Sequence, residues 1–441
     1  MSSAGTTERA DLPFIKRLVT AEQLPTVIAT VILSTLIISF RPFQPAGADL
    51  TGDGGDIVNQ IGFGGLGALS LASLLTFVDR RVLSALLSPW WLLLLGFLFL
   101  SILNTPAPAA TMRSAAFSLI GILSMAAVLT LPRTADAFCR VLVVAGFTIV
   151  ALSYLGLIIV PGAAIHQAGE VESQHAGLWR GVFTHKNIAG PVMASLSFAG
   201  IYLWRRGWRR AGGLLFVAAM FFVLHTGSKT TAGTVPLAGL LIALPGLFGL
   251  RLLVPILVVT TVCGMAVATL GIVFIEPVRQ LASVLAPDLT YTGRTSLWAF
   301  AGEMLAKRPW TGYGFENFWL TQTVFTADHP FDRAWDVRGA VHGHNSYMDV
   351  AIAMGLPALG VAIIAFIAAP LRDYMRVPPY RENVFLADFF MMIVVFALLN
   401  GFLESFFFRR ADPVWMFFVM AALGLRLVAR FAVPGHARRQ M

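Results

Sequence analysis

Charge is what this chain has least of. Only 12% of its 441 residues are Asp, Glu, Lys or Arg, where an ordinary soluble domain carries about 25%. Mean hydropathy is +0.76, which sets aside a water-soluble fold. Cysteine is nearly missing. Cys139 and Cys263 lie beside and inside apolar segments, too few for a disulfide framework or a four-ligand zinc site, and both read as inert. The chain has no phosphate-binding P-loop, no HExxH and no CxxC pair. Gly312-Tyr313-Gly314 lacks the third glycine and the preceding strand of a dinucleotide-binding turn. ATP-driven transport by this chain alone is therefore disfavoured, and no cofactor is expected. Nucleic acid is not expected either. The net charge is +9, but the arginines sit in short linkers between apolar runs, as topology signals do. The first apolar run, Leu24 to Phe40, is followed by no small-residue cleavage site and reads as a first span.

What fills the chain is hydrocarbon-soluble segments. A spanning helix needs roughly 20 apolar residues. The candidates are 24–40, 57–78, 89–104, 112–131, 141–160, 188–204, 211–226, 231–250, 252–275, 347–370, 384–402 and 413–431. The predicted fold is an all-α polytopic membrane protein of about twelve transmembrane helices, a single integral membrane domain over 1–441. Basic residues orient it. Arg80, Arg81, Arg133, Arg140, Arg205, Arg206, Arg209, Arg210, Arg251, Arg372, Arg376 and Arg381 fall on one side, taken as cytoplasmic together with both termini. The other side then holds the long loop 276–350, a second loop over 161–187 and the turn His225–Thr230.

The 276–350 loop is too long and too rich in Trp to be a plain connector, so it is expected to be folded and functional. Leu297, Phe300, Ala301, Met304 and Leu305 recur at helical spacing, and Lys307-Arg308-Pro309 is a stop signal. The spacing predicts an amphipathic helix from Arg294 to Trp310, lying on the membrane surface. External cations gather at few places: Arg180, His185 and Lys186; Lys229; Arg294, Lys307, Arg308, Arg333 and Arg338. Lys229 has two readings, a snorkelling interface residue or an anion ligand deep in an outer cavity. His342 and His344 have three. They could form a metal pair with Asp349, His329 or Glu316. One could be a base beside a phosphate held by arginine. Or His344-Asn345 could simply cap the next helix, with Asn345 at the N-cap. The absence of carboxylates at convincing ligand spacing disfavours metal.

The patterns Gly293-Arg294-Thr295-Ser296-Leu297-Trp298, Arg308-Pro309-Trp310-Thr311-Gly312-Tyr313-Gly314 and His344-Asn345-Ser346-Tyr347 through Gly355-Leu356 resemble the O-antigen ligase / Wzy-type polysaccharide polymerase family. Upstream, Arg180-Gly181-Val182-Phe183-Thr184-His185-Lys186-Asn187 and Thr226-Gly227-Ser228-Lys229-Thr230 resemble its exopolysaccharide-polymerase (ExoQ-like) branch. The resemblance implies a GT-C-like, metal-independent glycosyltransferase of the bacterial inner membrane with a periplasmic catalytic loop. Its donor would be an oligosaccharide on undecaprenyl diphosphate and its acceptor another lipid-linked glycan. Chain-length regulator or export proteins would be its partners. By the same resemblance His344 would be the base, and Arg294, Arg180 and Lys229 would hold the diphosphate. Lys186, His342, Asn345 and Tyr313 are the further substrate-binding candidates. The ligase signature that starts at His344 ends on Ala358 instead of Gly, Thr or Tyr. Lys229 stands where many relatives have Arg, a less rigid phosphate fork. A non-catalytic glycan flippase remains the rival from another class; it would place ionisable groups along a path through the spans.

Overall fold

The computed structural model describes residues 23–44, 57–170, 172–285, 291–315, 318–328 and 336–435. Helix occupies every apolar run named above, because a backbone in hydrocarbon must satisfy its own N–H and C=O groups. The main helices are α1 (Gln23–Ile38), α2 (Ile57–Phe77), α3 (Arg80–Leu86), α4 (Pro89–Asn104), α5 (Pro108–Thr130), α6 (Ala135–Ile159), α7 (Lys186–Arg205) and α8 (Arg209–His225). They continue with α9 (Lys229–Leu247), α10 (Leu253–Phe274), α11 (Glu276–Leu285), α12 (Arg294–Lys307), α13 (Ser346–Met375), α14 (Arg381–Asn400) and α15 (Pro413–Val428). Among the described residues there is no strand, only the isolated bridge between Ile165 and Trp179.

Seven of these helices are long and apolar enough to cross a bilayer, and eight if α3 and α4, bent by 63°, form one span. α1 and α15 are apolar but shorter. Twelve crossings is thus the expectation from apolar runs; among the described residues, length and apolarity support seven to eight. The centre of the fold is α14, 83% of whose apolar stretch is buried. α15 packs along it with Trp415, Phe417 and Phe418 fully covered. At the other extreme, only 22% of α10 is covered by protein.

The two ends of the bundle differ. At one, Arg206 bridges Asp136 (2.7 Å) and Glu382 (2.9 Å), while Arg205 and Arg251 both reach Asp388 at 2.8 Å. These pairs tie α6, α7 and α14 together. The opposite end gathers the N-termini of α7, α9 and α13 and the link 401–412 between α14 and α15.

α13 is broken at Gly355 (φ 86°, ψ 169°). The segment 309–314 threads into the break. Tyr313 N donates to Ile352 O (2.8 Å), Gly314 N to Ala353 O (3.0 Å) and Leu356 N to Pro309 O (2.7 Å). Carbonyls released by the break are thereby re-satisfied inside protein, the condition for irregular backbone at membrane depth.

α12 confirms the periodicity but corrects its use. Leu297, Trp298, Phe300, Ala301, Met304 and Leu305 are buried in a second core with Phe318, Trp319, Met348 and Ile352. The apolar face is covered by protein, not by the membrane. Periodicity shows that a face needs cover without saying what supplies it.

Candidate functional site

The turn 342–345 is clamped from three directions. Trp298 Nε1 donates to Gly343 O (2.9 Å), Gly343 N donates to Asp349 Oδ1 (3.0 Å), and Trp319 Nε1 donates to the same oxygen (2.9 Å). Asn345 lies beneath, fully buried. Its Oδ1 accepts from Tyr347 N (3.1 Å) and Met348 N (3.0 Å), and its Nδ2 donates to Phe402 O (3.0 Å). Asn345 is therefore the α13 N-cap, with its side chain engaged by protein rather than turned to a ligand. These contacts hold His344 in the left-handed region at φ 49°, a conformation that costs a β-carbon-bearing residue about 1–3 kcal/mol and that clusters at functional sites.

His344 Nδ1 faces Glu404 Oε2 at 3.5 Å. Glu404 is buried, and Arg294 Nη2 reaches its other oxygen at 3.1 Å. Arg294 Nη1 also donates to Leu403 O. Burial alone would raise the Glu404 pKa. The contact with His344 and the Arg294 charge outweigh it and hold the carboxyl at about 2, so it is an anion at neutral pH. Glu404 comes from the link between the two most buried helices, a rigid mount. That link is sewn to α13 by Ser346, whose N donates to Gly401 O (2.7 Å) and whose Oγ donates to Glu404 O (2.8 Å).

The 161–187 loop supplies the facing wall. His185 is the N-cap of α7: its Nδ1 accepts from Asn187 N (3.1 Å), and its Nε2 lies 2.8 Å from Glu172 Oε2. The His185 hydrogen bond is the main reason Glu172 is held down at about 2; partial burial opposes it, and His175 and His344 add to it. The next residue, Lys186, is only 8% exposed. Among the described residues its ammonium makes no hydrogen bond or ion pair, yet it lies within electrostatic range of Glu404, Glu172, Arg294 and Lys229. Lys229 is exposed at the start of α9.

Arg180 is elsewhere. It is 1% exposed, pairs with Glu170 (2.9 Å) and donates from Nε to Ala163 O (2.8 Å). Glu170 in turn takes His166 Nδ1 (2.7 Å), and His166 Nε2 accepts from Lys186 N (3.2 Å). Arg180 thus anchors the loop that presents Lys186, and its own guanidinium is engaged by protein. Removing one member of a buried pair strands the other at a cost of about 3 kcal/mol. Arg180→Ala should therefore lower the unfolding temperature clearly, while Lys186→Ala, which deletes a buried charge with no ion pair among the described residues, should not. Thermal scans of the two purified variants check the order, and the reverse order would sink this assignment.

Tyr313 is a brace. Its hydroxyl donates to Met304 O (2.9 Å), and its ring lies against Phe318 and under Arg308. His342 stays at the site, with its ring 4.1 Å from that of His344. Its Nδ1 accepts from His344 N (3.3 Å), and burial, followed by the nearby His344, Arg409 and Arg294, pushes its pKa well below the ordinary imidazole value. Arg338 forms a fork with the exposed Asp336. Glu316, His329 and Arg333 lie outside the described residues.

Two groups of side chains could in principle hold a metal ion. Asp349 Oδ1, the described candidate beside His342 and His344, is already used by Trp319 and Gly343. Glu172, His175 and His185 bring ligand atoms within 4.8 Å of one another. However, His185 Nδ1 accepts a backbone N–H, so its proton sits on Nε2 and points to Glu172. A metal on Nε2 would break the α7 cap. Within the cluster His185 is satisfied by hydrogen bonds, while His175 Nδ1 lies 3.3 Å from Glu172 Oε2 without forming one.

Four residues that sequence reasoning did not assign thus matter: Glu404, Glu172, His166 and Glu170. Glu404 alone left a signal, as a carboxylate isolated in the apolar stretch Asn400–Phe408. Residues 214–363 match the family model described as O-antigen ligase. The match covers about a third of the chain and includes Lys229, Arg294, His342, His344 and the broken part of α13. No curated protein matches the chain.

Proposed function

We propose that this chain, which carries an O-antigen ligase family segment, is a polysaccharide polymerase working at the outer face of a bacterial inner membrane. The family segment carries a ligase- or polymerase-type polysaccharide function in a multi-pass membrane protein. Polymerase action, the undecaprenyl-diphosphate-linked donor and the residue roles are the proposal. The observation that carries it is His344, Glu404 and Arg294 in one chain of contacts beside the buried Lys186, whose ammonium has no hydrogen bond or ion pair among the described residues.

In this reading the acceptor hydroxyl of a second lipid-linked repeat unit loses its proton to His344 Nε2, while Glu404 orients the ring through Nδ1. The acceptor oxygen bonds to the anomeric carbon of the donor, and the bond from that carbon to the diphosphate oxygen breaks. Undecaprenyl diphosphate leaves with new negative charge. Lys186, Lys229 and Arg294 stabilise that charge. The arginine-rich end of the bundle, opposite this constellation, supports cytoplasmic termini and a periplasmic site. The partners are thus the lipid-linked donor and acceptor, the bilayer and chain-length regulator or export proteins.

A ligase reading keeps the chemistry and changes the acceptor to lipid A-core or a protein; the description of the matched family favours it. Purified protein given lipid-diphosphate-linked repeat units, without added metal, separates the readings. A ladder of repeats is expected. A single transfer to a different acceptor would make it a ligase, and no covalent product in any condition would return it to the flippase class. Arrest by EDTA would overturn the metal-free chemistry.

A further inference from the structure

Among the described residues, nothing buries the helix that leaves the end of α10. α11 places Glu276, Arg279, Gln280 and Ser283 within one arc at about 100° per residue, and Pro277, Val278, Leu281, Ala282, Val284 and Leu285 on the remainder. The polar face is satisfied within the helix. Gln280 Nε2 donates to Glu276 Oε1 (3.0 Å), Arg279 pairs with Glu276, and Ser283 Oγ donates to Gln280 O (2.7 Å). The apolar face is not: Leu281, Val284 and Leu285 are 59%, 79% and 74% exposed, and no residue of the helix is buried.

This face continues the surface of α10, the span least covered by protein. Along α10, the least covered span, Val267, Phe274 and the following Ile275 are each about half exposed, and the apolar band runs from them into α11. Segregated faces of this kind suit the headgroup–acyl boundary of a bilayer. We infer that α11 is an interfacial foot: it lies in the plane of the outer leaflet with Leu281, Val284 and Leu285 among the lipid chains and Glu276, Arg279, Gln280 and Ser283 in water. The foot has a structural consequence. A Cβ at Gly302 would sit 2.4 Å from the Phe274 ring, so the end of α10 is packed tightly on α12. Lipid seating of α11 therefore fixes the depth of α12 and of Arg294 at its start. Membrane attachment moves to α11 from α12, whose own apolar face is covered by protein.

Nitroxide labels in lipid nanodiscs test this. Cys263, the exposed cysteine, is first replaced by Ser. Labels are then placed one at a time by Gln280→Cys, Leu281→Cys, Ser283→Cys, Val284→Cys and Leu285→Cys. All five side chains are exposed, so labelling leaves the packing intact. The expected result is a periodic pattern. Labels at 281, 284 and 285 relax with dissolved oxygen in preference to a water-soluble nickel complex, and labels at 280 and 283 do the reverse. Equal access of the nickel complex to both faces would overturn the inference. So would shielding of 281, 284 and 285 from both reagents, which would mean that protein covers the face.

Discussion

Protein carrying His344→Ala is expected to transfer glycan about 10²- to 10⁴-fold more slowly than the parent, the usual contribution of a positioned base. Its unfolding temperature should change little, because the ring is not part of a core and the turn is held by Trp298, Asp349 and Trp319. Glu404→Gln should fall toward the same level. The amide removes the charge that pairs with Arg294, and its single oxygen cannot serve both Arg294 and His344 Nδ1, as the two carboxylate oxygens do. If the two residues act as one unit, the double variant will be no slower than His344→Ala alone, the non-additivity expected of coupled groups. Multiplying losses would instead mean independent roles and would end the dyad. The pH window also helps. Glu404 is held below its ordinary value of 4.5, at about 2, so the stability from its pairing is complete above about pH 4.5 and is lost only as pH falls toward 2. Rate changes between pH 5 and 8 therefore do not come from this carboxylate.

The sequence made some of this legible and hid the rest for identifiable reasons. Helices were readable because hydrocarbon permits little else, and α12 was readable because Leu297, Phe300, Ala301, Met304 and Leu305 keep a 3.6 period. Its cover was not, since a protein core and a bilayer select the same apolar residues. At the site, His344, Arg294, Lys186 and Lys229 stood out as ionisable groups at one end of an apolar chain. The structure brings the first three around Glu404 and leaves Lys229 at the edge. Arg180 was misplaced because charge alone does not reveal its partner: Glu170 lies ten residues upstream in a loop that folds back on itself through the Ile165–Trp179 bridge. Asn345 was legible in its plainer role, as a cap. Glu404 is 60 residues from His344, and only the return of α14 joins them.

Gly355→Ala is expected to cost on the order of 3 kcal/mol or more and to abolish a monodisperse peak in detergent, because two penalties coincide. The backbone at φ 86° and ψ 169° is open essentially to glycine alone. A Cβ there would also meet Trp310 O at 2.4 Å and Trp310 C at 2.5 Å, both rigid backbone atoms. Relief would require the 309–314 segment to withdraw. That would free the carbonyls of Ile352 and Ala353, which Tyr313 N and Gly314 N now satisfy. Unsatisfied carbonyls at membrane depth cost several kcal/mol each, so the helix would have to straighten or the protein unfold. A straight α13 would shift the upper half of the helix relative to the lower, and the upper half carries Asn345, Asp349 and the His344 turn. Even a folded Gly355→Ala protein should therefore lose transfer activity. Gly360→Ala, on the same helix with open space around its Cβ position, is the control and should behave like the parent. Size-exclusion profiles after stepwise heating compare the three proteins. An alanine at 355 as stable and active as one at 360 would show that the break does not position the site.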